Sequence, residues 1–531
     1  MACAIYDRRV TLVSAEGTES PIAPAKRQTH LDMRLLLLAS LVAAIGFVLL
    51  PDPRLPQLHQ VGNSLVRMLA FRCLVAGCIS GLMVFRPNPR WAAAACAAAG
   101  ATLGMAFLTT ALSLNSVHPV WDLSKRSWAG ATIVGLALGC GIALLLSHMM
   151  SAKWTVAADV LVLTLLVAIM LSYAGVAPGV VRADHNRWLS KQLSLDPQLR
   201  QYQSDSAIFL RTYYQMKEGK GFYPAYWDSL NGDLRTSGRL TQVSFFNYRE
   251  PLVFYLWKAL PGSSGMALLR WFLAYGAILL VCSYVLASAL VSRGVALLAP
   301  VALVSWLSWL IWIPQPGTVR GLPWFPAIEV WAAGFAVAAV MCLVRGWRVP
   351  SLLLLIATVA SREFGVLLIP AWLLMWWFSR DRKSSWWFPA VAIAGPAFVL
   401  GAHYLAVPNK GGPGTGQWLQ SSLLRFLTTL RFAFGLMPAG MWIPLAFAAA
   451  AIAAAALALP RWRQTSLLAA TLIPTAFLLL VGNGGFQWGA FYMPLAVSIA
   501  PGVLGRILPA EADPGRPDAS DSRETPTADG V

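Results

Sequence analysis

The stretch "VASREFGVLLIP", residues 359–370, places Arg362 and Glu363 between two strongly apolar segments. A charged side chain inside hydrocarbon costs about 3 kcal/mol unless it is paired or reached by water. One continuous helix through this region would carry the basic run "RDRKSS" that follows to the outer side of a membrane. Two short helices, 350–361 and 364–378, keep that run on the cytoplasmic side, which Lys and Arg in short loops prefer. We therefore predict a turn at Arg362 and Glu363 on the outer face.

The composition of the chain is that of a membrane protein. Of its 531 residues, 57% are hydrophobic and 12% are charged, and the formal net charge is +18. A soluble domain is far more polar. The basic excess is interpreted as cytoplasmic loop anchoring and contact with anionic lipid, with no nucleic-acid partner. The cysteine spacing indicates neither a disulfide framework nor a metal site.

Apolar runs long enough to cross the bilayer predict an all-α polytopic membrane protein with about 14 transmembrane helices, since a span needs about 20 residues. The loops assigned to the inner side are all basic, which places both termini in the cytoplasm. The predicted spans are 35–51, 66–85, 91–114, 129–150, 156–179, 265–291, 295–313, 325–344, 350–361, 364–378, 387–406, 437–459, 465–481 and 489–506.

These spans divide the chain into five parts. They are a cytoplasmic N-terminal tail (1–32), four additional transmembrane helices (33–155), a core (156–406) that includes a large outer loop (180–264), a C-terminal outer loop with three transmembrane helices (407–508), and a disordered cytoplasmic tail (509–531).

The large outer loop is expected to carry surface helices. Apolar residues at helical spacing in 205–219 predict an amphipathic helix on the membrane surface, namely Ile208, Phe209, Tyr213 and Met216. Gly219, Gly221 and Pro224 are expected to stop it. A second short segment, 250–262, is expected to dip into the interface beside it.

Six ionisable residues fall on or just under the outer surface on this topology, and they are the candidate site residues. They are Asp205, Arg249, Glu250, Glu329, Arg362 and Glu363. Ionisable groups in or near a membrane are functional candidates, and several on one side suggest one cavity. Two alternatives remain open: the adjacent Arg–Glu pairs orient loops, and Asp205 merely caps its helix.

Several outer segments resemble the GT-C superfamily of integral membrane glycosyltransferases. The resemblance rests on "SDSAIFLRTYYQMKEGKGFYPAYW" (204–227), "NYREPLVFYLWKAL" (247–260) and "SREFGVLLIPAW" (361–372), and it covers about 156–380. Asp205 matches the family's Asp after the first core helix, and Glu329 matches an acidic position after an outer loop. The chain departs from the family in having four additional spans before the core.

The resemblance implies transfer of a sugar from a polyprenyl-phosphate donor to a glycan, lipid or protein acceptor. Asp205 would then be the catalytic base that takes the acceptor's proton. Arg249 and Arg362 would bind the leaving phosphate, while Glu250 and Glu363 hold them in register. Glu329 would bind a sugar hydroxyl or, with another carboxylate, a divalent metal ion, which no ligand motif supports. The expected location is a bacterial inner membrane, with the site facing outward.

Two rival functions stay open from the sequence. A lipid-linked oligosaccharide flippase suits fourteen spans, but it would place polar groups along a central path. A polysaccharide polymerase or ligase also has a large outer loop, although usually late in the chain. The clustering of ionisable residues on the outer side favours the transferase.

Overall fold

The computed structural model describes residues 163–164, 166–167, 205–231, 248–291, 293–312, 327–379, 385–408, 442–480 and 486–504. This part of the chain is 85% helical and has no strand, so the predicted all-α class is confirmed for it. The predicted spans 35–51, 66–85, 91–114 and 129–150 lie outside the described residues, as does nearly all of 156–179.

Apolar runs in the sequence correspond closely to helices in the structure. The helices are α1 (Asp205–Lys217), α2 (Phe222–Asn231), α3 (Leu252–Ala259), α4 (Gly265–Ala287), α5 (Arg293–Ala296), α6 (Leu298–Trp312), α7 (Ile328–Val344), α8 (Arg348–Ser361), α9 (Ile369–Phe378), α10 (Trp387–Ala406), α11 (Trp442–Leu457), α12 (Arg461–Leu480) and α13 (Phe486–Ile499). Two 3-10 helices join them, Glu363–Leu368 after α8 and Ala500–Val503 after α13.

Three described helices are long and apolar enough to cross a membrane. They cover Ala267–Ala287, Trp387–Ala406 and Arg461–Leu480. Shorter apolar helices, among them α7 and α8, pack between and beside them. The membrane character of the chain is therefore supported, while the count of fourteen spans remains a prediction.

The chain turns at Arg362, as predicted. Arg362 ends α8 in an extended conformation (φ −158°, ψ 127°), and its N–H donates to Thr358 O at 2.9 Å. The 3-10 helix Glu363–Leu368 then leads into α9. Gly365 is needed here because a Cβ at this position would lie 2.8 Å from the backbone nitrogen of Val359. The turn therefore folds tightly back onto the end of α8.

Helix α1 exists as predicted, but it does not expose one polar face. Its four predicted apolar residues are buried, and so are Leu210, Thr212 and Tyr214 around the rest of the helix. Tyr213 donates from its hydroxyl to Gly262 O, and Phe209 packs edge-on against Phe254 of α3. Helix α1 was expected to lie on the membrane surface. It instead packs against both α2 and α3, which cover different faces of it.

The break after α1 occurs at Gly219, whose φ of +103° suits glycine. Pro224 does not stop a helix, contrary to our expectation. It lies in the first turn of α2, where a missing N–H removes no helical hydrogen bond.

Charged residues lie at the two opposite ends of the antiparallel pair α7 and α8. Glu329 lies in the first turn of α7, and Arg362 with Glu363 follows α8 at the same end. Arg345 follows α7 and Arg348 begins α8 at the other end. Every carboxylate of this pair therefore lies at one end, and the other end carries only arginines.

Candidate functional site

Arg362 is the centre of a buried ionic cluster. Its side chain is 1% exposed, and its Nη1 donates to both carboxylate oxygens of Glu363, at 2.8 and 3.0 Å. Its Nη2 lies 3.0 Å from Oε1 of Glu329, and its Nη1 lies 4.0 Å from Oε2 of Glu250. We name these four residues the charge cluster. They come from the loop before α3, the start of α7 and the turn after α8, so the fold joins three distant segments at one point.

Glu329 is completely buried in the first turn of α7. A carboxylate is favourable there because the helix N-terminus carries partial positive charge. Its contact with Arg362 is an ion pair without hydrogen-bond geometry, since neither carboxylate oxygen accepts a hydrogen bond from a described residue. Glu329 therefore keeps its hydrogen-bonding capacity while its charge is partly compensated.

Glu250 differs from the neighbouring Glu363 in the direction of its pKa shift. Burial raises the pKa of this carboxyl well above its usual range, and the nearby Glu363 carboxylate raises it further, outweighing the opposing effect of Arg362. A hydrogen bond between the two carboxyl groups acts in the same direction. Of these two neighbouring carboxyl groups, Glu250 is therefore the one that binds a proton more readily.

Arg249 completes the charge balance. It is half-buried, and its positive charge acts on the Glu363 carboxylate. Arg249 and Arg362 therefore both act on Glu363, and Arg362 also pairs with Glu329. Such a balance matters because an uncompensated buried charge costs several kcal/mol.

Asp205, the proposed base, is the first residue of α1, and its side chain lies outside the described part of the chain. The backbone position agrees with the start of a helix and keeps the capping alternative open. The other five predicted site residues are described, and four of them form the charge cluster.

An aromatic wall borders the charge cluster. The Tyr223 hydroxyl and Nδ1 of His403 share a hydrogen bond of 2.9 Å, and their rings are stacked. Burial, followed by the charges of Tyr255 and Glu250, raises the pKa of Tyr223 to about 12, so its hydroxyl stays neutral near pH 7. The ring of Trp227 stacks parallel to that of Tyr248.

Sequence reasoning missed His403 and Tyr223. His403 lies in the last turn of α10, near the outer end of a predicted span. The rule that selected Glu329, an ionisable residue inside an apolar run, would also have selected His403. No sequence signal linked it to Tyr223, which lies 180 residues earlier.

Several buried polar atoms around the cluster lack a hydrogen-bond partner among the described residues. They are Glu329 Oε1 and Oε2, Glu250 Oε2, Arg362 Nε and Tyr248 Oη. Buried polar atoms nearly always find partners in folded proteins, often ordered water or a ligand. This concentration of unused donors and acceptors suits water or a ligand rich in hydroxyl groups.

The described residues contain no group of three His, Cys, Asp or Glu side chains arranged to hold a metal ion. Arg362 contacts all three carboxylates of the cluster, so a guanidinium already lies where a cation would bind them together.

Comparison with known proteins adds no assignment, since no family model, curated protein or solved structure matches the chain.

Proposed function

We propose that the protein is a membrane glycosyltransferase of GT-C type. It moves a sugar from a polyprenyl-phosphate donor to a glycan, lipid or protein acceptor on the outer face of a bacterial inner membrane. The donor's lipid tail lies among the apolar helices, and its sugar phosphate lies at their outer end.

One observation carries the proposal. One buried cluster at the end of apolar helices contains Glu250, Glu329 and the Arg362–Glu363 turn. In sequence, Glu329 lies about 80 residues after Glu250, and the turn follows about 30 residues later. Holding so many charges out of water is costly, and proteins accept that cost most often at functional sites. The unused hydrogen-bonding atoms nearby suit a sugar, which offers several hydroxyl groups.

The two arginines take different roles in this proposal. The transferring sugar leaves a phosphate whose negative charge grows in the transition state, and a guanidinium stabilises it. Arg249 is partly exposed and can reach such a group. Arg362 is enclosed by three carboxylates, so it organises Glu329 and Glu363 instead of meeting the phosphate directly.

Asp205 is the proposed catalytic base. The acceptor hydroxyl loses its proton as it attacks the anomeric carbon, and a positioned carboxylate accepts that proton. Glu329, with both oxygens free of hydrogen bonds from described residues, is suited to bind a sugar hydroxyl.

The distribution of charge favours transfer over transport. Among the described apolar helices, none carries Asp, Glu, Lys or Arg at its centre. A flippase for a charged, lipid-linked glycan would need polar groups along its path through the bilayer.

The test is an assay of membranes that contain the wild-type chain against a panel of radiolabelled polyprenyl-phosphate sugars. We expect one donor to give transfer and Asp205→Asn to abolish it, because the change keeps shape and removes the proton acceptor. Asp228→Asn is the matched control, since Asp228 is an exposed acid of α2 that pairs with Lys220. Transfer at the wild-type rate by Asp205→Asn would remove the assignment of the base, and no transfer from any donor would remove the proposed function.

A further inference from the structure

The opposite end of the helices carries a second charged feature, formed by Arg345 after α7 and Arg463 in the first turn of α12. Arg345 donates from Nη2 to Val285 O at 2.9 Å and to Ser288 Oγ at 2.7 Å. Arg463 donates from Nη1 to Ala289 O at 3.1 Å and to Leu459 O at 3.2 Å, and from Nη2 to Val344 O at 3.5 Å. Both guanidinium groups are thus fixed against the C-terminal end of α4.

These hydrogen bonds fix the two arginines without neutralising them. Backbone carbonyls at a helix C-terminus supply only partial negative charge. Among the described residues, neither arginine has a carboxylate partner, and their positive charges repel each other. Two like charges held side by side form a site for an anion.

Each guanidinium also retains donors for such an anion. Arg345 is exposed and uses only Nη2 in its contacts with described residues. One Nη2–H of Arg463 also has no acceptor among them, and neither does its buried Nε–H. A phosphate group, with several acceptor oxygens, matches two guanidinium forks well.

The surroundings indicate that this phosphate belongs to a lipid. Trp347, two residues after Arg345, is 53% exposed, and exposed tryptophans at span ends mark the boundary between hydrocarbon and water. The arginines lie where α4 and α7 end and α12 begins, and the ends of membrane helices are where lipid headgroups are expected. Basic pockets between transmembrane helices are known to bind headgroups.

We propose that Arg345 and Arg463 form a binding site for the phosphate of an anionic phospholipid in the leaflet opposite to the charge cluster. The site depends only on the membrane character of the chain. It is independent of the proposed glycosyl transfer, so either proposal can fail alone.

The test compares the wild-type protein in nanodiscs of phosphatidylcholine with nanodiscs of equal parts phosphatidylcholine and phosphatidylglycerol. Native mass spectrometry counts retained phosphatidylglycerol, and far-UV circular dichroism gives the melting temperature. We expect tighter retention and a higher melting temperature with phosphatidylglycerol, and retention about fivefold weaker for each arginine replaced by glutamine. The Arg345→Gln/Arg463→Gln variant should therefore lose the preference. Arg270→Gln, which removes an exposed arginine from the other end of α4, should keep it.

Three results would overturn the proposal. They are no preference in the wild type, an unchanged preference in the double variant, and equal stabilisation of the phosphatidylcholine sample by inorganic phosphate, which would indicate a free-anion site. A salt titration of the wild type tests the site without any variant. The phosphatidylglycerol preference should weaken as salt rises, and a salt-independent preference would contradict the assignment.

Discussion

Replacing Arg362 with methionine should destabilise the protein far more than the loss of an exposed cation. The change keeps an unbranched side chain but removes the guanidinium that pairs with Glu329, which is completely buried, and with Glu363, which is 19% exposed. Removing one partner of a buried ion pair costs about 3 to 5 kcal/mol, because the remaining charge stays in a poor solvent. Here two carboxylates lose the same cation, so we expect a loss at the upper end of that range.

The assay is denaturant unfolding in detergent micelles, followed by circular dichroism. Lys220→Met is the matched control, because Lys220 pairs with Asp228 at the surface, where the side chains are 38% and 49% exposed. Exposed pairs contribute about 1 kcal/mol or less. Adding Glu329→Gln to Arg362→Met should recover about 1 to 3 kcal/mol, since one of the two carboxylates left without a cation is then replaced by a neutral amide. Equal losses for Arg362→Met and Lys220→Met, or strictly additive effects with Glu329→Gln, would refute the idea that the cluster is held by desolvated charge.

Two further predictions concern Gly365 in the turn after α8 and the carboxyl group of Glu250. Gly365→Ala should lower the free energy of unfolding by roughly 1 to 3 kcal/mol, since the added Cβ would press on the backbone of α8. Gly221→Ala is the control, because its added Cβ meets only an ordinary contact at 3.7 Å. Equal unfolding midpoints for the two variants would contradict this. The folded-state pKa of Glu250 is raised, so its contribution to stability is fully present below its ordinary pKa and is lost as pH rises toward the folded value. Glu250→Gln should therefore flatten the decline of unfolding free energy with rising pH, and parallel wild-type and variant curves would show that another group causes the decline.

Some features of the structure follow directly from local sequence. The predicted span 387–406 coincides with α10, because a long apolar run between polar loops fixes both helix ends. The turn at Arg362 could be predicted from charge alone. Only two short helices that meet at Arg362 and Glu363 keep the basic run "RDRKSS" on the cytoplasmic side.

Other features depend on contacts that no local pattern encodes. The approach of Glu250 to Arg362 requires the loop before α3 to dock beside the turn after α8. The pairing of Tyr223 with His403 joins α2 to α10 in the same way. The burial of α1 was missed because helical periodicity identifies one apolar face but cannot reveal a second neighbour. Local sequence therefore predicted the candidates, and tertiary packing decided which of them meet.

The most direct test of the central claim is sugar transfer by Glu363→Gln, the cluster carboxylate that is partly exposed. With the donor identified from the panel, we expect the rate of sugar transfer to fall about 100-fold while the circular dichroism spectrum stays unchanged. The rate falls because the bound donor and acceptor are no longer aligned for the reaction. Glu218→Gln, in the exposed segment after α1, should transfer normally. Wild-type transfer by Glu363→Gln would contradict the claim that the charge cluster is the site of chemistry.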